Sequence, residues 1–104
     1  NLDLRGYEIE IYPHGRFENI RKTIAHEVGH VIFDEFLSGE ERKEWEELYS
    51  NSNEFVSRYA IRSSEEDFCA CYAMFHLLPG WLEERHEKKY TFIKKVNRKL
   101  EELQ

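Results

Sequence analysis

The sequence predicts a small α+β domain in which most residues are helical. Its 104 residues fit one domain spanning 1–104, and a hydrophobic content of 40% is enough for one modest core. Residues 7–12, Tyr-Glu-Ile-Glu-Ile-Tyr, alternate with period two, which is typical of a half-buried strand. Beyond residue 19, apolar residues instead recur at helical spacing. We therefore expect a short strand or sheet packed beside a set of helices.

The strand and the helix after it come first along the chain. The strand Tyr7–Tyr12 ends at residues 13–15, Pro-His-Gly, which favour a turn. A helix is predicted from Asn19 to Leu37, with an apolar stripe of the kind that a helix buries. The residues of this stripe are Ile20, Ile24, Val28, Val31 and Phe36.

The second helix opens with a capping box, in which Glu41 follows Ser38 by three residues, and it runs to about Tyr49. It is highly charged, so we expect it at the surface. The stretch Asn51–Ser63 has a mixed composition and is predicted to be mostly loop.

The third helix is capped by Ser63 or Ser64 and runs through Leu78. It is rich in Phe, Tyr, Ala and Cys, which predicts that it is buried. Pro79-Gly80 breaks it, and residues 81–103 form one or two further helices. The residues that we expect to face inward there are Phe92, Ile93, Val96 and Leu100.

The charge balance restricts the class of partner. The chain has 15 basic and 21 acidic residues, a net charge of −6 with His neutral. Nucleic-acid binding requires a concentrated basic face, so this class of partner is not expected, whereas a cationic peptide is. No apolar run is long enough to span a bilayer, so we expect a soluble domain.

The chain begins at Asn1 without a Met or a signal peptide, so we expect a domain trimmed from a longer protein. Localisation does not follow from this N-terminus, and secretion or export as part of a longer protein stays open. In a helix, Cys69 and Cys71 point about 200° apart, which forbids a disulfide between them and mildly favours a reducing compartment.

Residues 26–30, His-Glu-Val-Gly-His, carry the clearest chemical signal. Positions four apart lie on one helix face, so His26 and His30 can present ring nitrogens to a single zinc ion. Glu27 lies about 100° around the helix, where it can reach a metal-bound water as a general base. The pattern therefore predicts one zinc ion per chain and hydrolysis of peptide bonds.

A catalytic zinc ion needs a third protein ligand and one open position, and the downstream candidates are carboxylates. The stretch Tyr59–Phe68, Tyr-Ala-Ile-Arg-Ser-Ser-Glu-Glu-Asp-Phe, resembles the third-ligand helix of the anthrax lethal factor-like peptidases and of the clostridial Pro-Pro endopeptidases. These are small zincin-like domains of the gluzincin type. The resemblance implies that Glu66 is the third zinc ligand and that Tyr59, seven residues earlier, is the active-site tyrosine. It extends over roughly residues 7–100.

One position departs from the family pattern. The family has a second glutamate four residues after the ligand, where this chain has Ala70. This departure leaves Glu65 open as the alternative ligand and Asp67 as a more distant one. A metal-bound histidine usually donates its other ring N–H to a carboxylate or a carbonyl, and Asp34, one turn after His30, is a candidate for that role.

By the same resemblance, Glu27 accepts the proton of the attacking water and Tyr59 donates to the developing oxyanion. The substrate is then a peptide or protein, and acidic residues of the strand favour basic residues in it. Two other readings stay open. One is a regulatory metallopeptidase of the phage-repressor type, and the other is a non-catalytic zinc-binding module for protein interaction.

Overall fold

The computed structural model describes residues 16–103, and these form five α-helices with two short irregular helical turns. The first helix continues without a break into a π-helical turn, and a 3₁₀ turn precedes the third. In chain order the elements are α1 (Arg16–Val31), the π turn (Ile32–Phe36), α2 (Gly39–Ser50), the 3₁₀ turn (Tyr59–Arg62), α3 (Ser64–Leu77), α4 (Pro79–Arg85) and α5 (Glu87–Glu102).

Side-chain caps fix the starts of two helices where the sequence predicted them. The Ser38 hydroxyl accepts from the Glu41 backbone N–H at 3.0 Å, and the Glu41 carboxylate accepts from the Ser38 backbone N–H at 2.8 Å. This reciprocal pair is the predicted capping box of α2. The Ser63 hydroxyl accepts from the Glu66 backbone N–H at 3.1 Å and so begins α3. Glu66 is thereby held in the first turn of its helix.

Helix α3 lies at the centre of the fold and contacts each of the other four helices. Its Phe68 is fully buried, with its ring centroid 5.3 Å from that of Trp45 on α2. The Trp45 ring in turn lies 5.2 Å from Phe92 on α5, and its indole N–H donates to the Ser64 carbonyl at 2.8 Å. This aromatic cluster ties the start of α3 to both neighbouring helices.

The predicted α+β class is wrong for the described part of the chain. Residues 16–103 contain helices and no strand. The predicted strand Tyr7–Tyr12 lies outside the described residues. The physical reason is that α1 packs directly against the apolar helix α3, so the burial that we assigned to a sheet is supplied by helix-on-helix packing.

The apolar stripe of α1 is also placed differently from the prediction. Ile20, Ile24, Val28 and Val31 are exposed by 52%, 59%, 41% and 60%, respectively. The side of α1 that meets the core carries Gly29, and the core contacts continue through the π turn with Ile32 and Phe33. Helical periodicity identified an apolar face correctly but did not indicate which side of the helix α3 occupies.

The remaining helices agree with the sequence. The second half of the predicted C-terminal region is α5, which buries Phe92, Ile93 and Val96 as expected, with Leu100 partly buried. Cys69 and Cys71 are free and buried, in keeping with the absence of a disulfide between them. Within residues 16–103, no helix combines the length and apolarity needed to cross a membrane.

A buried ion pair joins α3 to α5. The Lys89 ammonium lies 2.8 Å from the Asp67 carboxylate, and Asp67 is fully buried. The Cys71 thiol donates to the other Asp67 oxygen at 3.6 Å. The Lys89 nitrogen also lies 4.5 Å from the ring centroid of Phe55. Because Asp67 follows Glu66 directly, this pair holds the first turn of α3 at a fixed distance from α5.

Candidate metal centre

Helices α1 and α3 approach each other closely at Gly29. A Cβ atom added there would lie 2.9 Å from the Cα of Cys69 and 3.3 Å from its sulfur. Real Cβ atoms are essentially never that close to another backbone, so the crossing requires a residue without a side chain. The approach brings the first turn of α3 against the face of α1 that carries His26 and His30.

Three of the sequence-predicted residues meet at this crossing. Nε2 of His26 lies 2.9 Å from Oε1 of Glu66, and Nε2 of His30 lies 3.6 Å from the same oxygen. The two imidazole ring centroids are 5.2 Å apart. The Nε2 atoms of His26 and His30 therefore both lie near Oε1 of Glu66. Their side chains are between 16% and 28% exposed, so solvent reaches the cluster from one side.

Two of the distances in this cluster are compatible with a shared zinc ion. Ligand atoms about 2.0–2.2 Å from a tetrahedral zinc ion lie roughly 3.3–3.6 Å from one another. The observed separations of 2.9 and 3.6 Å fall close to that range. A carboxylate only accepts hydrogen bonds, so Nε2 of His26 is the donor to Glu66, and a bound cation would take the place of that proton. Two imidazoles and a carboxylate are also a donor set that zinc uses in hydrolytic sites.

Glu65 holds the ring of His30. Its Oε2 accepts a hydrogen bond from Nδ1 of His30 at 2.7 Å, which leaves Nε2 directed at Glu66. The hydrogen bond that His30 donates to Glu65 raises the pKa of His30 above its ordinary value, against the opposing effect of burial, and the charge of Glu66 adds to the rise. Metal-binding histidines commonly have a carboxylate on their second nitrogen, and this arrangement matches that pattern.

The residue that takes this role differs from the one that the sequence suggested. We considered Asp34 for the contact to His30, but Asp34 is exposed and His30 faces Glu65 instead. Glu65 was considered above as an alternative ligand. Its carboxylate contacts Nδ1 of His30, whereas the Glu66 carboxylate contacts the Nε2 atoms of both histidines. Asp67 is directed away from the histidines, toward Lys89. Ala70 is partly buried and packs against the core.

Tyr59 belongs to the 3₁₀ turn that precedes α3, and its ring lies beside the histidines. The ring centroid is 5.6 Å from that of His26, and the Arg62 guanidinium lies 4.7 Å from it on the ring face. The short connection through Ser63 joins the turn to α3, so the same loop that caps the helix also places Tyr59. The structure thus brings Tyr59 next to the cluster, although it is distant from His26 in sequence.

Glu27 is exposed on the rim of the cluster. Its negative charge contributes to raising the pKa values of both His30 and Cys69, which places it within electrostatic range of the two. Its exposure leaves the carboxylate free to turn toward solvent at the cluster, as a general base for water must.

One residue of the cluster was not predicted as a ligand. Cys69 lies one turn after Glu66 on α3 and is fully buried. His26, His30 and Cys69 each offer a donor atom, and these three atoms lie within 4.8 Å of one another. Its spacing of about one turn from Glu66 indicated a position near the metal, but the sequence favoured the role of a small buried hydrophobic residue.

Comparison with known proteins identifies no relative: no family model matches the chain, and neither a curated protein nor a solved structure matches it significantly.

Proposed function

We propose that the chain is a zinc-dependent endopeptidase with one metal ion per chain. The observation that carries this proposal is the meeting of His26, His30 and Glu66 across two helices, with separations of 2.9 and 3.6 Å between the histidine nitrogens and one carboxylate oxygen. A glutamate next in sequence to the first histidine, and open to solvent, adds the base that hydrolysis needs. The spacing of Tyr59 and Glu66, together with the position of Tyr59 beside His26, favours the lethal factor-like type of peptidase.

A zinc ion bound here would supply an acidified water and polarise the scissile carbonyl. The chain's own residues provide the rest of the chemistry. Glu27 accepts the proton of the attacking water and passes it to the leaving amine. The Tyr59 hydroxyl donates a hydrogen bond to the oxygen that becomes negative. Glu65 keeps the ring of His30 in one orientation throughout.

Charge around the cluster supports a cationic peptide as the substrate. Glu27, Asp34, Glu65 and Glu66 all act electrostatically on Cys69, which lies beside the histidines. The net charge of the chain is −6. A dication offsets part of this local charge, and the remainder attracts basic side chains of an extended peptide.

Cleavage of a peptide library tests the proposal. We expect the zinc-loaded chain to cut unstructured peptides, to lose activity with a chelator and to recover it when zinc is restored. Glu27→Gln should bind zinc as the wild type does while its turnover falls by about 10²-fold or more. Glu84→Gln, an exposed glutamate on α4, is the matched control and should cleave normally. Wild-type turnover in Glu27→Gln would contradict the proposal, and so would a rate of peptide cleavage that is unchanged by the chelator.

A second candidate function is a non-catalytic zinc-binding module. The observation that favours it is the closeness of the Cys69 sulfur to both histidines, because four protein donors leave no position for water. The same peptide library separates the two candidates, since a chain that binds zinc and cleaves no peptide belongs to the second.

A further inference from the structure

The Cys69 thiol lies where a metal ion between the two histidines would meet it. It occupies the side of α3 that packs on Gly29, and Gly29 lies between His26 and His30 on α1. Its sulfur and one nitrogen from each ring are within 4.8 Å of one another. Zinc binds sulfur at about 2.3 Å and imidazole at 2.0–2.1 Å, so donors on one tetrahedral ion lie roughly 3.3–3.6 Å apart. Donor atoms up to 4.8 Å apart would have to move closer together on binding one ion.

Glu66 and Cys69 can bind the same ion. They are three residues apart on α3 and therefore lie on one face, one turn from each other. Glu66 reaches the two Nε2 atoms from the solvent side, with its side chain 21% exposed. Cys69 is fully buried and approaches from the helix crossing. The two donors thus differ in exposure, and each lies near both histidines.

The Cys69 side chain is fully buried beside the two histidines. A metal ion bound to its sulfur would take the place of the thiol proton, because a coordinating thiol is deprotonated outright.

We propose that Cys69 Sγ is a fourth protein donor to the metal ion, beside His26, His30 and Glu66, in the resting state of the site. This inference rests on the proposed function, since it requires that the histidines hold a metal ion. On binding, the S–H bond breaks, the proton leaves to solvent, and a sulfur lone pair forms the bond to the ion. Four protein donors close a tetrahedral site, so water enters only when one of them leaves.

Cobalt absorption tests the proposal on the full 104-residue chain. With Co²⁺ alone as the probe, we expect visible d–d bands of a tetrahedral ion and a near-ultraviolet thiolate-to-cobalt charge-transfer band in the wild type. The charge-transfer band should be lost in Cys69→Ser and retained in Cys71→Ser. Cys71 is the matched control because it is equally buried on the same helix and bonded to Asp67.

Each outcome decides between the proposals. A charge-transfer band that depends on Cys69 supports the sulfur ligand. Tetrahedral d–d bands without a charge-transfer band in the wild type overturn the Cys69 proposal and leave the metal site intact. A chain that shows no cobalt spectrum at all overturns both this inference and the proposed function. Where Cys69→Ser fails to fold, a charge-transfer band that is retained in Cys71→Ser assigns the sulfur to Cys69, because the chain has two cysteines. Cys69→Ala offers a second variant without a buried hydroxyl.

Discussion

Oε2 of Glu65 lies 2.7 Å from Nδ1 of His30, and this one contact sets which nitrogen of that ring faces the neighbouring carboxylate. With Nδ1 engaged, Nε2 is directed at Glu66, 3.6 Å away. Two adjacent residues of α3 thus have different roles. The Glu66 carboxylate lies near Nε2 of both histidines, while Glu65 orients the ring of His30. The proposed metal site depends on this division.

Glu65→Gln should weaken zinc binding about 10-fold or more. An amide still accepts the hydrogen bond from Nδ1, but it removes the negative charge that makes His30 a stronger donor. Competition with a chromophoric chelator measures the affinity. Glu84→Gln removes one charge from α4 and should bind zinc as the wild type does. An unchanged affinity in Glu65→Gln would mean that this contact does not support the metal.

Zinc binding should also weaken as the pH falls, and it should begin to do so above the ordinary pKa of histidine. Only neutral imidazole binds the metal, and the hydrogen bond that His30 donates to Glu65 raises the pKa of His30 above 6.5. In Glu65→Gln this rise is smaller, because the charge of Glu65 is removed, so the decline in affinity should move to lower pH. The chelator competition, repeated across pH, shows the two midpoints. Identical midpoints would contradict the assigned role of Glu65.

Gly29→Ala should destabilise the fold by about 1–3 kcal/mol, the cost of forcing an extra carbon into a packed crossing. The added Cβ would lie 2.9 Å from the Cys69 backbone, and this clash outweighs the roughly 1 kcal/mol that alanine contributes in a helix. Because α1 and α3 must separate, zinc affinity should fall as well. Urea denaturation and zinc titration measure the two effects.

Gly80→Ala provides the control for that substitution. Gly80 also lies in a helix, and a Cβ added there meets nothing within 4 Å. Here the helix propensity of alanine acts alone, so stability should stay equal or rise by up to about 1 kcal/mol. If Gly29→Ala were as stable as Gly80→Ala, the close approach of the two helices would not be the reason for a glycine at this position.

Tyr59→Phe should keep zinc and lower kcat by about 10²-fold, with little change in KM. The phenyl ring preserves the packing on His26 and Arg62, while the donor to the oxyanion is lost. Tyr90→Phe, a half-buried tyrosine on α5, should cleave normally. A full rate in Tyr59→Phe would remove Tyr59 from the reaction and leave it only a packing role.

Lys89→Met should destabilise the fold by about 3 kcal/mol at neutral pH, because it leaves the buried Asp67 without its cationic partner and with the Cys71 thiol as its hydrogen-bond donor. Burial already raises the pKa of Asp67, and Lys89 opposes that rise. Without Lys89 the folded-state pKa rises further, so the variant loses stability as pH increases above the unfolded value. Its deficit should be smallest near about pH 4, as urea denaturation at several pH values would show.

Lys95→Met is the matched control on the same helix. The Lys95 nitrogen lies 3.9 Å from Glu44, and both side chains are at least half exposed. Such a pair contributes little, so the change in stability should stay within roughly 0.5 kcal/mol. A similar loss of stability in Lys89→Met and Lys95→Met would show that the buried ion pair contributes no more than the exposed one.

The sequence predicted local features of the fold well and the packing of its helices less well. Ser38 and Ser63 cap their helices as expected, because a cap is decided by residues three apart in the chain. The stripe that includes Ile24 and Val28 is exposed instead, since periodicity alone does not say which side the neighbouring helix takes. The expected sheet is replaced, within residues 16–103, by packing of α1 on α3.

In the site, too, some features follow from the local sequence and others depend on how the helices pack. The two histidines lie four residues apart on one helix, so their common face follows from the chain alone. The approach of Glu66 followed only from a resemblance to known peptidases. The contact of Glu65 with His30 and the proximity of Cys69 depend on how closely α1 and α3 cross, which Gly29 permits. Nothing in the local sequence around Cys69 specifies a distance to α1.

The most direct measurement is the anomalous diffraction of crystals grown with zinc. We expect one zinc peak per chain, about 2.0–2.2 Å from Nε2 of His26, Nε2 of His30 and a carboxylate oxygen of Glu66. Zinc bound away from these three side chains, or the three residues directed apart around no metal, would contradict the proposed site.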